Sequence, residues 1–505
     1  MPRVVDGRYR LRRRVVAIGA LVFAYAVLIQ PAGDNEKSHY VLVRALASGR
    51  PYVDEVRTNP NLHTIDVTSF HGHLYAAKSP GLALVSLPPY LALEAAGVRT
   101  DGNPKHVLWA LHLWSVVLPA LALLLLVERL GDELEPGAGL PAAVTLGAST
   151  LVLPFGTLFF SHLLAAALAF SAFALLWGGR ADLPRVAAAG LLCGFGVSTE
   201  SSILLASLVL GTYACVSAPR LRRAASFVTG LAVGVLPTLL FNWWAFRSPV
   251  HSPYEGWHRP GSSAHATAFG FGAPTPRSFL VVLLYPTGLP LLAAGVAGAV
   301  LLLRRRRAEG AVVLATAAAF VLANAMSPDL LGGASPGPRY LIPAFPFLAL
   351  GLALAYRRFP GEAIGLAAGG VVMLGAATIT SPLGAFDQHV IQRLRSHSFV
   401  ASVLELFGIK TGYGVLFFVA AVGVAFLATA ITARLPLGVP RELLRGLATA
   451  GAFAVLATQL PDLLRDGASA ADLVLAAAIA VGAVAAVLAV RRIPAQGRMD
   501  AERAY

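Results

Sequence analysis

Residues 34–39 read Asp-Asn-Glu-Lys-Ser-His: two carboxylates, an amine and an imidazole within six positions of a chain that is only 13% charged. Asp34 and Glu36 are side chains of the kind that take a proton from a hydroxyl, so either could serve as a general base. The local alternative is that Asp34 caps a helix and Asn35–Glu36 fill its first turn. Further on, residues 68–82 read Thr-Ser-Phe-His-Gly-His-Leu-Tyr-Ala-Ala-Lys-Ser-Pro-Gly-Leu. Lysine occurs only at 37, 78, 105 and 410, against many arginines, which makes Lys78 a selective choice. A compact ammonium there can hold a phosphate at a membrane surface, or snorkel to headgroups. His71 and His73, spaced H-x-H, could hold a divalent metal with nearby carboxylates. Without a fixed cysteine or carboxylate pattern they assign no metal site, and the chemistry needs no cofactor.

Other polar side chains stand at the ends of apolar runs. His162 in Phe-Phe-Ser-His-Leu is an ionisable group just inside a long apolar segment, where such groups are functional candidates or interfacial hydrogen-bond donors. Arg339, followed by Tyr340 in Gly-Pro-Arg-Tyr-Leu, could grip phosphate oxygens or pair with Asp329. Glu200 in Ser-Thr-Glu-Ser-Ser stands at a helix junction, as a cap or a contact for a second substrate. His73 and Tyr75 are further loop candidates for that contact.

The elements that must position these groups follow from composition. Hydrophobic residues make up 56% of the 505, and mean hydropathy is +0.69. Repeated apolar runs of about 20 residues, each able to cross about 30 Å of hydrocarbon, predict an all-α polytopic membrane protein. The net charge of +14 comes from short arginine clusters between apolar runs. That is the positive-inside pattern rather than a basic face for nucleic acid, so nucleic-acid binding is set aside. Cys193 and Cys215 show neither metal spacing nor a disulfide framework.

The predicted spans are 14–31, 105–127, 138–154, 157–178, 184–198, 200–216, 224–247, 278–303, 310–326, 338–356, 362–380, 413–433, 445–461 and 472–490. They make about 14 transmembrane helices, with 12–14 as the range, and the first is read as retained rather than cleaved. The run 81–97, with Pro88–Pro89 in its middle, is ambiguous. Basic clusters at 10–14, 219–225, 304–307, 356–362 and 491–498 should share the cytoplasmic side. That requires an odd number of crossings between the first two clusters, so 81–97 is read as interfacial or re-entrant. Both termini then lie in the cytoplasm, and the polar segments 32–104, 248–277, 327–337 and 381–412 lie outside. Residues 34–49 have an amphipathic pattern, read as a helix lying on the membrane. Internal repeats are not evident.

Taken in order, the motifs resemble a known family. A first span is followed by an acidic motif, then Gly-His-Leu-Tyr-Ala-Ala-Lys-Ser-Pro-Gly-Leu, then Phe-Phe-Ser-His-Leu, then Gly-Gly-x-Ser-x-Gly-Pro-Arg-Tyr-Leu-x-Pro. This order is similar to that of the multi-pass GT-C glycosyltransferases, which include protein mannosyltransferases and lipid A aminoarabinose transferases. It is closest to bacterial members labelled mannosyltransferase-like. The likeness covers roughly 10–360, within a catalytic core 1–360 that includes outer loop 32–104, with 361–505 adding further spans. It implies an inverting enzyme of a bacterial plasma membrane, active on the extracytoplasmic face, with a polyprenyl-phosphate-linked sugar as donor. The acceptor would be a hydroxyl on a glycan, lipid or protein. On the same resemblance Asp34 would be the base, with Glu36 as substitute. Lys78 would bind the donor phosphate, with Arg339, Tyr340 and His162 around the donor. The reading from a different class is a polytopic transporter or lipid flippase, whose polar groups belong nearer the midplane.

Overall fold

The computed structural model describes residues 2–255, 272–384, 388–409, 412–433, 439–465 and 467–491. Parts of the predicted outer segments 248–277 and 381–412, and all of the basic segment 491–498 beyond Arg491, lie outside the described residues.

The predicted spans fall mainly on helix, because an apolar run in hydrocarbon must satisfy its own backbone hydrogen bonds. Among the described residues, nine helices are long and apolar enough to cross a membrane. Lys105–Leu134, Arg220–Phe246 and Arg339–Arg358 are three of them. Gly139–Ala148, Leu183–Thr199 and Ile203–Ala214 are apolar but shorter. The segment expected at 278–303 is interrupted. Helix Pro276–Leu284 gives way to a 3-10 turn at Pro286–Gly288 and a π turn at Pro290–Gly295, before Val296–Arg305 resumes. Pro286 and Pro290 supply the reason, since each removes an amide donor and crowds the preceding turn. The chain is a multi-pass helical membrane protein.

The first predicted span is shorter in its helical part. Helix Pro2–Val27 ends before Leu28–Ile29, which pair as a short antiparallel strand with Ala401–Ser402. Gln30 then donates to Thr157 Oγ1 at 2.9 Å and to the Thr378 carbonyl at 3.1 Å, clamping the exit of the first helix to the turn after Val152–Phe155 and to helix Pro360–Thr380.

Residues 34–100 are neither a separate domain nor a loose loop. Helix Asp34–Ala47 and helix Gly81–Ala95 pack together, and their apolar faces share a cluster with the tops of neighbouring helices. Tyr40, Leu42, Val53, Leu82, Tyr90, Leu111, Phe159 and Phe246 all belong to it. The expectation of an amphipathic helix lying on the membrane is therefore corrected. Helix Asp34–Ala47 is enclosed, with Ser38, His39, Tyr40, Val41, Leu42 and Val43 all buried. Arg44 staples it in place with two parallel bonds to Glu55, each 2.9 Å, and a third of 2.7 Å to the Thr100 carbonyl. Paired in this way, a guanidinium fixes orientation as well as charge.

Between the two helices lies a hairpin, Val67–Phe70 against His73–Ala76. Its turn is His71–Gly72, both with positive φ (48° and 86°), as a type I′ hairpin turn requires. The strand feeds directly into Ala77, whose amide donates to the Asp66 carbonyl at 3.1 Å, and so delivers Lys78 opposite Asp66.

Candidate active site

Lys78 is 6% exposed, and its ammonium donates to Asp66 Oδ2 at 2.8 Å. The turn that follows is pressed against a helix junction. A Cβ on Gly81 would come within 2.6 Å of the Ser198 carbonyl and of Thr199, so only glycine fits that approach. The contact sets the Lys78 turn beside Glu200. Glu200 Oε2 in turn meets His162 Nδ1 at 2.6 Å, joining the end of helix Leu183–Thr199 to the start of helix Ser161–Leu176.

Arg339 enters at the start of helical stretch Arg339–Arg358. No ion pair to Asp329 or to another carboxylate holds it among the described residues. Its guanidinium lies over the rings of Phe160 and Tyr340, at 5.3 and 5.6 Å from their centres. Tyr340 in turn meets His162 edge-on at 6.2 Å. Aromatic faces attract a cation without consuming its hydrogen-bond donors, so the arginine remains able to bind an anion.

Helix Asp34–Ala47 contributes two buried groups from its first turns. Glu36 and His39 are each 2% exposed. Among the described residues, no hydrogen-bond partner reaches either carboxylate oxygen of Glu36, Nδ1 of His39, Nε2 of His162 or Nε of Arg339. Buried polar atoms are almost always paired, because leaving one unmet costs about 1–3 kcal/mol. Five such atoms in one cluster mark a place built for something other than stability.

The electrostatics agree. Burial raises the Glu36 carboxyl to about 8, despite the pull of local amides and of Arg339 in the other direction. At pH 7 this side chain is mostly protonated. Burial, with Lys78, His162 and Arg339 nearby, drives His39 well below its ordinary value, so it is neutral. Burial also lowers Lys78, with Arg339 adding to the effect, while Asp66 and Glu36 oppose it. Burial would raise Glu200, but His162, Ser202 and Arg339 together hold it below the ordinary glutamate value.

Asp34 occupies the rim. It is exposed, and its Oδ1 accepts from the Ile65 amide at 3.2 Å while its carbonyl accepts from Thr64 Oγ1 at 2.8 Å. The predicted cap role is not what holds it: the N-cap position is Gly33, and the Asp34 carboxylate binds the next loop instead. Those two bonds tie Asp34 to residues 64–65, just before Asp66, the partner of Lys78.

The predicted residues thus divide. Glu36, Lys78, His162, Glu200, Arg339 and Tyr340 converge, and Asp34 overlooks them. His73 and Tyr75 do not join. His73 Nδ1 is tied to Asp54 Oδ2 at 2.6 Å and its ring stacks on Tyr52 at 4.3 Å. Tyr75 packs against Phe70 and Phe246. No group of three or more metal-ligating side chains converges among the described residues.

Three participants were not foreseen as site residues: His39, Asp66 and Tyr254. Tyr254 stands among Glu200, Tyr340, Asp66 and Ser79, and that enclosure raises its phenol. The residue as a whole is nevertheless 43% exposed. Asp66 could not be found by spacing, because strand pairing, not sequence proximity, brings it to Lys78.

No protein-family model matches the chain, and no curated protein is similar to it. Solved structures are similar to it. ArnT from Cupriavidus metallidurans in the apo state superposes with a TM-score of 0.52 at 14% identity, over 85% of this chain and 78% of that one. The same ArnT bound to undecaprenyl phosphate gives 0.48 at 16% identity, over 88% and 78%. The apo Archaeoglobus fulgidus oligosaccharyltransferase gives 0.42 at 14%, over 85% and 55%. The chain has a GT-C-like fold. At these identities the likeness extends to the fold and no further.

Proposed function

We propose that the protein is an inverting glycosyltransferase whose donor is a sugar carried on a polyprenyl phosphate and whose acceptor is a hydroxyl. The observation that carries this reading is the pairing of two kinds of group at one end of the bundle. Lys78 and Arg339 are cations aimed into a cluster of unmet polar atoms, and Asp34 is an accessible carboxylate held at its rim. The order of sequence motifs and the GT-C-like fold support the same reading.

In this mechanism the Asp34 carboxylate takes the acceptor's hydroxyl proton as the oxygen attacks the anomeric carbon. The bond from that carbon to the phosphate oxygen breaks, its electron pair stays with the phosphate, and the configuration inverts. Negative charge on the leaving phosphate grows through the step. Fixed cations there bind the transition state more strongly than the ground state, and most strongly where water is scarce. Lys78 supplies the point charge and Arg339 the fork, with Tyr340 and His162 lining the donor's surroundings. Glu36, buried and mostly protonated at pH 7, suits hydrogen bonding better than proton abstraction, which favours Asp34 as the base. The active site would face the extracytoplasmic side, as the arginine distribution predicts.

The test is a pair of variants assayed with a labelled prenyl-phosphate sugar. Asp34→Asn should bind the donor normally yet turn it over about 10²–10⁴-fold more slowly. Near-normal turnover in Asp34→Asn would remove it as the base.

A further inference from the structure

We infer that Asp66 is the positioning residue that keeps the Lys78 ammonium charged and in place until a phosphate arrives, and that it thereby sets the pH range of donor binding. This inference rests on Lys78 being the phosphate cation of the proposed reaction.

The geometry is that of a held cation rather than a surface pair. Lys78 is 6% exposed, Asp66 Oδ2 lies 2.8 Å from its nitrogen, and Asp66 is the one carboxylate that forms an ion pair with it among the described residues. The backbone of Asp66 is fixed independently of its side chain. Ser38 Oγ donates to its carbonyl at 2.6 Å, the Ala77 amide donates to the same carbonyl at 3.1 Å, and its own amide donates to Thr64 Oγ1 at 3.2 Å. The carboxylate is therefore free to serve Lys78 alone.

The groups that act on Lys78 come from every side. From helix Asp34–Ala47 come Glu36 and the neutral His39. Arg339 comes from the start of Arg339–Arg358, and Tyr254 reaches the adjoining Ser79. Glu36 is itself mostly protonated at pH 7, and Arg339 is a like charge. Burial and Arg339 both favour loss of the Lys78 proton, leaving Asp66 as the principal opposing charge. The same carboxylate also repels an incoming phosphate. Asp66 thus has two effects of opposite sign: it preserves the cation at alkaline pH and weakens anion binding wherever the cation would be charged anyway.

Removing the charge should separate the two effects. The probe is a short-chain prenyl methyl phosphodiester, whose single negative charge does not titrate between pH 6 and 9.5. Its dissociation constant is measured by calorimetry on the full-length protein in detergent. Asp66→Asn is expected to bind at least about threefold tighter than wild type at pH 6. It is expected to bind at least about threefold weaker at pH 9.5, so the two curves cross; each threefold step is about 0.65 kcal/mol. Because arginine does not lose its proton in this range, Lys78→Arg in an Asp66→Asn, Glu36→Gln background, which also removes the Glu36 titration near pH 8, should give a flat profile. Should Asp66→Asn not fold, Asp66→Ser carries the same prediction, since the backbone bonds at 66 do not need the side chain. Curves that stay parallel, or coincide, would overturn the role of Asp66 even if the site binds phosphate. Unchanged binding in Lys78→Met would instead overturn the phosphate role of Lys78 itself, which is a different failure.

Discussion

Arg339 and Arg357 stand at opposite ends of one helical stretch of 20 residues, Arg339–Arg358, which is about 30 Å of helix, and their surroundings differ in kind. Around Arg357 the carboxylates Glu128, Asp132, Glu135 and Glu362 each meet an arginine. Glu135 pairs with Arg305 at 2.8 Å and with Arg357 at 3.5 Å, Arg14 meets Glu128 at 3.0 Å and also Asp132, and Arg491 meets Glu362. Around Arg339 the guanidinium has aromatic faces and, among the described residues, no carboxylate in ion-pair contact, and it neighbours a buried glutamate and two histidines with unmet atoms. The first end is an anchor, in which ion pairs close the helix ends against water. The second keeps unpaired polarity at a cost to stability, which a fold sustains where a ligand is to be bound. The difference separates a charge placed for topology from a charge placed for chemistry.

Substitutions can break or sharpen that contrast. The largest effect should come from the chemical end: Lys78→Met is expected to lower turnover by about 10²–10³-fold, comparable to removing one stabilising donor from a developing anion. A donor assay at saturating acceptor checks it. Arg339→Gln should follow, with about a tenfold loss seen mainly in the use of the lipid donor, since Lys78 remains.

Glu36→Gln sharpens the contrast through pH. A carboxyl held at about 8 in the folded state and near 4.5 when unfolded binds its proton more tightly when folded. Its contribution to stability is therefore fully present below pH 4.5 and is lost as pH rises through 8. Glu36→Gln should gain on wild type between pH 5 and 8, by at most about 1.4 kcal/mol per pH unit. Thermal unfolding in detergent across that range reads it. Turnover at pH 7 should change little, because glutamine mimics the protonated acid; a large loss there would transfer the base role from Asp34 to Glu36. At the anchoring end, Arg357→Gln removes a pair whose arginine is 74% exposed. It should cost less than about 1 kcal/mol and leave turnover within twofold, because exposed pairs contribute little.

Much of the fold was legible because hydrocarbon imposes a simple rule. Runs of about 20 apolar residues mostly became helices, whereas the break inside 278–303, at Pro286 and Pro290, was not foreseen although their missing amides cause it. The site was legible where rarity or context marked a residue, as with Lys78 among so few lysines and Arg339 against the positive-inside bias. It was not legible where tertiary pairing does the work. His71–Gly72–His73 read as a possible metal pattern, yet it is a hairpin turn whose flanking strands bring residue 66 to residue 78. Helix Asp34–Ala47 read as amphipathic because Tyr40, Val43, Leu46 and Ala47 share one helical face, whereas its polar side is also taken up inside the protein, with Arg44 spent on Glu55 and Thr100. A single sequence does not reveal that a charge is matched inside the protein.

The central claim is that this end of the bundle breaks a bond between a sugar and a lipid phosphate. It is tested most directly by incubating the purified protein with a labelled prenyl-phosphate sugar and a panel of hydroxyl acceptors, water included. Free prenyl phosphate should appear in step with a sugar product of inverted configuration, and both should disappear in Asp34→Asn. A donor that stays intact with every acceptor, or that is cleaved equally well by Asp34→Asn, would contradict the account.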